Sequence, residues 1–190
     1  SLRHAIMLDP DHVRAHYNLG VALLKVSSFD EAADSFRRLI ALEPDHAAGW
    51  NHLGIALFKQ DQDTEAMACF RKAADLRPEN ADAYNNLGTA LLEQGLPAEA
   101  LPFFRQVIDL TRDEAGPGQR RAESWSGSLV DLTFEAYNGV LLIALYLAST
   151  RPAELAAVYQ DFAQRFELPL RAAWPAHTNN RAPERRLKIG

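Results

Sequence analysis

The chain repeats itself every 34 residues, and no other feature limits its fold as much. Leu19, Leu53 and Leu87 coincide under that shift, as do Gly20, Gly54 and Gly88. So do Ala22, Ala56 and Ala90; Leu23, Leu57 and Leu91; Ala32, Ala66 and Ala100; and Phe36, Phe70 and Phe104. Pro10, Pro44 and Pro78 mark the joints. Self-similarity at a fixed period of this length predicts stacked copies of one supersecondary unit, each copy burying an apolar face it cannot cover alone.

One unit reads as two helices. Val13 to about Val26 and about Phe29 to Leu42 carry apolar residues at helical spacing. Helices this short are marginal alone in water, so each depends on its neighbour. Gly20 and Ala32 are placed to let the two helices of a pair approach closely. Phe36, Phe70 and Phe104 are expected to fill the space between successive pairs. Ser28 and Glu31 have the spacing of a capping box for the second helix. Pro97 falls in a first helical turn, which tolerates proline, while Pro44 and Pro78 end the second helix. The period and these positions resemble the tetratricopeptide repeat. The predicted fold is all-α: a right-handed superhelix of helical hairpins over residues 13–46, 47–80 and 81–114. Residues 1–12 read as the end of a preceding repeat, because Leu2, Ala5 and Pro10 occupy the places of Phe36, Leu39 and Pro44. The expectation is that the natural protein extends further toward its N-terminus.

Beyond Leu110 the pattern breaks. Residues 115–128, with Gly116, Pro117 and Gly118, read as a surface connection. Residues 129–166 read as a capping helix pair. The first helix, Leu129 to Ala148, is apolar nearly all round and is expected to be buried. The second opens near Pro152 and is expected to bury Leu155, Val158, Tyr159 and Phe162. Residues 167–190 read as an extended linker, broken at Pro169, Pro175 and Pro183, and its Leu187-x-Ile189 end reads as a first strand of a further domain.

The segment carrying Tyr137-Asn138-Gly139-Val140-Leu141-Leu142, Arg165-Phe166, Pro169-Leu170-Arg171, Trp174-Pro175, His177, Asn179 and Arg185-Arg186-Leu187-Lys188-Ile189-Gly190 resembles a known joint. It is similar to the region linking tetratricopeptide repeats to the catalytic region in bacterial O-linked N-acetylglucosamine transferase-like proteins. Two departures stand out: Tyr159-x-x-Phe162 replaces a common His-x-x-Trp pair, and the connection after Thr111 is longer than usual. The resemblance implies an enzyme that moves N-acetylglucosamine from UDP-GlcNAc to Ser or Thr of proteins. It implies a Rossmann-like catalytic domain of the same protein beyond Gly190, which would hold the nucleotide sugar and the catalytic residues. No catalytic, cofactor-binding or metal residue is thereby assigned to this chain.

Composition narrows the partners. A net charge of −5 offers no basic face for nucleic acid. The longest apolar run, Val140 to Ala148, is too short to span a membrane, and the chain does not open on a signal-peptide pattern. Lone Cys69 forbids an internal disulfide and fits a reduced, cytoplasmic setting. Of the histidines, His12 and His46 share one repeat position, and His16 stands where Trp50 and Tyr84 stand, so repeat placement explains them better than metal binding. His177 lies in the linker. The glycines have no phosphate-loop spacing.

The candidate binding residues lie on the first helix of each repeat. Asn18, His52 and Asn86 recur at the repeat interval, beside Tyr17, Asn51 and Asn85. First helices line the concave wall of such an array. Asparagine is a mediocre helix former, so its recurrence points to a use. Its amide both donates and accepts, which suits the backbone of an extended acceptor protein or peptide. The resemblance implies the same role, since that family holds acceptors with an asparagine ladder. Solvation of a consensus asparagine explains the residues equally well. The competing function is a stand-alone adaptor, for instance one clamping a C-terminal carboxylate. That clamp wants several basic groups on the concave wall, where Arg14 and Lys25 stand nearby.

Overall fold

The computed structural model describes residues 2–112, 128–146 and 152–164. They form helices and contain no strand. The helices are α1 (Leu2–Leu8), α2 (Val13–Lys25), α3 (Phe29–Leu42), α4 (Ala47–Phe58), α5 (Asp63–Leu76), α6 (Ala81–Glu93), α7 (Pro97–Arg112), α8 (Ser128–Tyr146) and α9 (Pro152–Phe162). Helices α2 and α3, α4 and α5, and α6 and α7 pack as antiparallel pairs, and the first helices of successive pairs also touch.

Within each pair a phenylalanine lies on a glycine. A Cβ at Gly20 would stand 2.6 Å from the Phe36 ring, and one at Gly54 would stand 2.5 Å from the Phe70 ring. The same contact joins Gly88 and Phe104 at 2.9 Å. The rings were expected between pairs. They sit first within the pair and then reach onward: Phe36 meets His52 at 5.5 Å between ring centroids, and Phe104 lies against Gly139 of α8. Ala32, Ala66 and Ala100 are fully buried beside these contacts, so side-chain size sets the approach of the helices.

The turns between paired helices also repeat. Ser27 (φ 60), Asp61 (φ 58) and Gly95 (φ 74) are the left-handed residues, one per repeat. In each turn two amides bond back to carbonyls of the preceding helix, as Ser28 N does to Leu23 O at 2.9 Å. That pattern satisfies carbonyls a helix end would otherwise leave open. It also explains why the capping box at Ser28 and Glu31 is not formed. Ser28 stands at the N-cap with ψ 69, well short of extended backbone, and its hydroxyl makes no cap bond. Side-chain caps occur instead at α4 and α6: His46 Nδ1 accepts from Gly49 N at 2.9 Å, and Asn80 Oδ1 from Ala83 N at 3.4 Å.

The joints are closed by side chains from the following helix. His16 Nε2 donates to the Pro10 carbonyl and Trp50 Nε1 to the Pro44 carbonyl, both at 2.7 Å. Each reaches back six residues from the same repeat position.

Helix α8 stacks on α7 and touches α6, in the way α6 touches α4. It is not buried all round, contrary to its composition: Phe134 is 45% exposed and Leu142 44%. Helix α9 packs on it, where buried Tyr137 bonds Asp161 and the Tyr137 and Phe134 rings both meet Phe162. Tyr159, expected inside, is 52% exposed, because Val158 and Phe162 supply the face that α9 turns to the core. Residues 115–127 of the expected connection, with Trp125, and the whole of 167–190, with Trp174, His177 and the expected strand, lie outside the described residues.

Candidate protein-binding groove

The first helices present one continuous polar row, and the structure shows how it is tied together. The residue before each row position touches the row position of the next pair. Tyr17 meets His52 edge-on, with ring centroids 5.5 Å apart. Asn51 Oδ1 accepts from Asn86 Nδ2 at 2.9 Å. Asn85 Nδ2 donates to Glu135 Oε2 at 3.1 Å. The last contact sets α8 in register: Glu135 holds the position that Asn18, His52 and Asn86 hold in α2, α4 and α6. The row therefore reads Asn18, His52, Asn86, Glu135.

The candidate residues differ in what remains open. Asn51 and Asn85 are each only 6% exposed and act between pairs rather than toward solvent. Asn85 Oδ1 is buried and has no partner among the described residues. Asn18 is exposed. His52 is half-buried, and its Nδ1 bonds the Ala48 carbonyl at 2.7 Å. A carbonyl only accepts, so Nδ1 carries a proton, and in the neutral ring Nε2 is left as an acceptor. Asn86 keeps its oxygen and one N–H after donating to Asn51.

Above this wall lies a groove of about 460 Å³, bordered by Tyr17, Ala48, Asn51, His52, Asp82 and Leu132. Arg77 and Glu79 also face it and are 3.6 Å apart. The groove thus joins residues of α2, α4, α6 and α8, and offers both donors and acceptors beside apolar surface.

Elsewhere the side chains do little chemistry. Burial pushes the Cys69 thiol up from 9.0 to about 11, with Glu65 adding to the shift. A thiol held protonated is a poor nucleophile. Among the described residues no group of three or more His, Cys, Asp or Glu could hold a metal ion. No described helix is long and apolar enough to cross a membrane.

Family models described as tetratricopeptide repeat match residues 13–46 and 80–120, and one described as TPR repeat matches residues 56–95. The chain carries tetratricopeptide repeats. A search of the curated proteins found no match. Among solved structures, a crystal structure of MamA is similar to it, with a TM-score of 0.67 and 20% identity over 90% of this chain and 86% of that one. MamA 41-end from Desulfovibrio magneticus RS-1 matches with a TM-score of 0.58 and 26% identity, covering 60% of this chain and 65% of its own. The first TPR of Spaghetti (RPAP3), bound to the HSP90 peptide SRMEEVD, matches with a TM-score of 0.58 and 21% identity, over 72% and 94%. At these identities the likeness concerns the fold. A tetratricopeptide array is a protein–protein interaction module, and the groove is the face on which its first helices converge.

The row residues were visible in the sequence as a recurrence. Glu135 was not, because it follows Asn86 at a spacing unlike the repeat's. The signal that could have found it is the buried pattern of Leu132, Ala136, Tyr137 and Val140, which copies that of Ala83, Leu87, Gly88 and Leu91.

Proposed function

We propose that the groove takes an extended stretch of a partner protein, and that the chain serves as the substrate-recognition arm of a protein O-linked N-acetylglucosamine transferase-like glycosyltransferase. The carrying observation is the polar row from Asn18 to Glu135 beside the groove, which His52 of that row and Asn51 line. It spaces amide, imidazole and carboxylate groups so that an extended backbone can bond without a fixed sequence. The enzymatic half rests on the resemblance of Tyr137 to Gly190 to the joint that precedes that catalytic region. UDP-GlcNAc would then bind to a catalytic domain of the same protein, and this chain would contribute no catalytic group. The second reading, a stand-alone adaptor in the cytoplasm, is favoured by structural neighbours that are themselves tetratricopeptide proteins. A carboxylate clamp fits less well, since Glu79 and Asp82 share the groove with Arg77.

The test compares protein with short-peptide glycosylation by a longer form of the chain, wild type beside Asn18→Ala/Asn86→Ala. Two lost amide contacts should weaken binding by roughly 1–3 kcal/mol, about 5- to 150-fold in affinity. The loss should fall on protein acceptors and spare short peptides. Transfer from UDP-GlcNAc that is absent would leave the adaptor; transfer that is insensitive to the double variant would remove the groove from acceptor binding. The 190-residue chain by itself should transfer no sugar.

A further inference from the structure

Two of three aligned places on the first helices and their C-caps go from basic to acidic along the array. Counted from Val13, Ala47 and Ala81, the second residues are Arg14, Ala48 and Asp82. The sixth are Asn18, His52 and Asn86, and the thirteenth are Lys25, Lys59 and Glu93. At 3.6 residues per turn these places fall within about 40° of one another, so they make one stripe on the helix. Ala48, His52 and Asp82 of this stripe line the groove, and the other members carry the same helix faces beyond it. Helix α8 extends it with Glu135 at the sixth place.

The second and thirteenth places therefore run from basic at α2 to acidic at α6, while the sixth stays uncharged through Asn86 and turns acidic only at Glu135 of α8. Arg14, Lys25, Lys59, Asp82, Glu93 and Glu135 are all exposed. Among the described residues none of the six is in an ion pair. The joint carboxylates Asp11, Asp45 and Glu79 recur in every repeat and so add no direction; Asp11 is held by Arg38 and Glu79 by Arg77. A surface with free charges of opposite sign at its two ends orients a complementary partner and rejects a reversed one.

Resting on the groove reading above, we infer that the occupant is a charge-polarised extended segment of a partner protein. Its acidic end lies over α2 and its basic end over α6 and α8. Three helix-to-helix steps of about 8–10 Å give a span on the order of 30 Å. An extended chain covers that in about nine residues.

The experiment uses four fluorescent peptides of equal length on a Gly/Ser/Thr background, measured by anisotropy against the whole chain. One carries Glu at one end and Lys at the other; the others are all-Glu, all-Lys and uncharged. Wild type should hold the polarised peptide roughly three- to ten-fold tighter than the uncharged one at low salt, with the preference fading at high salt. The all-Glu and all-Lys peptides should bind more weakly than the polarised one. In Asp82→Lys/Glu93→Lys, with helical circular dichroism unchanged, the all-Glu peptide should become the tightest. Binding of all four peptides with no preference, or a ranking that the double variant leaves unaltered, overturns the polarity and keeps the groove. No binding of any peptide overturns both.

Discussion

Replacing Gly54 by Ala sets two known effects against each other. Alanine gains about 1 kcal/mol over glycine in a helix interior. The new methyl, however, would lie 2.5 and 2.6 Å from Phe70 ring carbons and 3.1 Å from the Ala66 backbone oxygen. Carbon atoms prefer about 3.5–4.0 Å, so ring and helix must part by about 1 Å. Phe70 is only 1% exposed and cannot swing into solvent, and Ala66 belongs to the facing helix. Overpacking of this kind costs about 1–3 kcal/mol and is compounded here by backbone on one side. We expect Gly54→Ala to lose about 1–2 kcal/mol net, visible as a lower urea midpoint with an unchanged slope. The double-mutant cycle with Phe70→Leu isolates the cause. With the ring gone, the alanine should recover its helix gain and raise stability relative to Phe70→Leu alone. A Gly54→Ala chain as stable as the parent, or a cycle with no coupling, would refute the ring-on-glycine account of the pair.

Two further outcomes follow from local geometry. Ser27 holds a left-handed conformation that in the third repeat falls to Gly95, so Ser27→Gly should stabilise the chain by about 1 kcal/mol in urea unfolding; a loss of stability would contradict the turn. Cys69, with its thiol pushed up to about 11, should alkylate with iodoacetamide at pH 8 about 100-fold more slowly in the folded chain than in denaturant, and equal rates would show that the site is open.

The repeat unit was legible because its determinants are local. Gly20, Ala32, Phe36 and Pro44 each act through helix spacing or backbone restriction, and each recurs at the same interval. The turns were less legible. Nothing in the letters Ser27 and Asp61 announces a left-handed residue; the three-way alignment with Gly95 carries that information. The cap pair was read as two helices, but its open face escaped for a different reason. Helix α8 has apolar residues nearly all round, so its composition cannot say which face the groove leaves open. Phe134 and Leu142 stay about half exposed, although the Phe134 ring meets Phe162 of α9. The partners of the polar row could not be read either, since Asn51 meets Asn86 across a separation of 35 residues, one more than the period. That extra residue is a consequence of how one pair is set on the next.

The same offset changes what the row can do. If each asparagine faced the groove alone, its whole bonding capacity would be available to a partner. Instead Asn51 binds Asn86 and Asn85 binds Glu135, so the row is also part of the joint between pairs. A part-buried bond of this kind contributes about 0.5–1.5 kcal/mol and fixes the direction of the remaining groups. On the proposed reading, Asn86 would meet a partner with its oxygen and one N–H already oriented, which would lower the ordering cost of binding. Binding and stacking would then be coupled through these side chains. A partner that pulls Asn86 away from Asn51 must loosen α4 from α6, whereas one that accepts the geometry as it stands reinforces the array. The groove should therefore favour partners whose backbone matches the spacing of the pairs, and this spacing, more than any side-chain pocket, supplies its selectivity for extended chain.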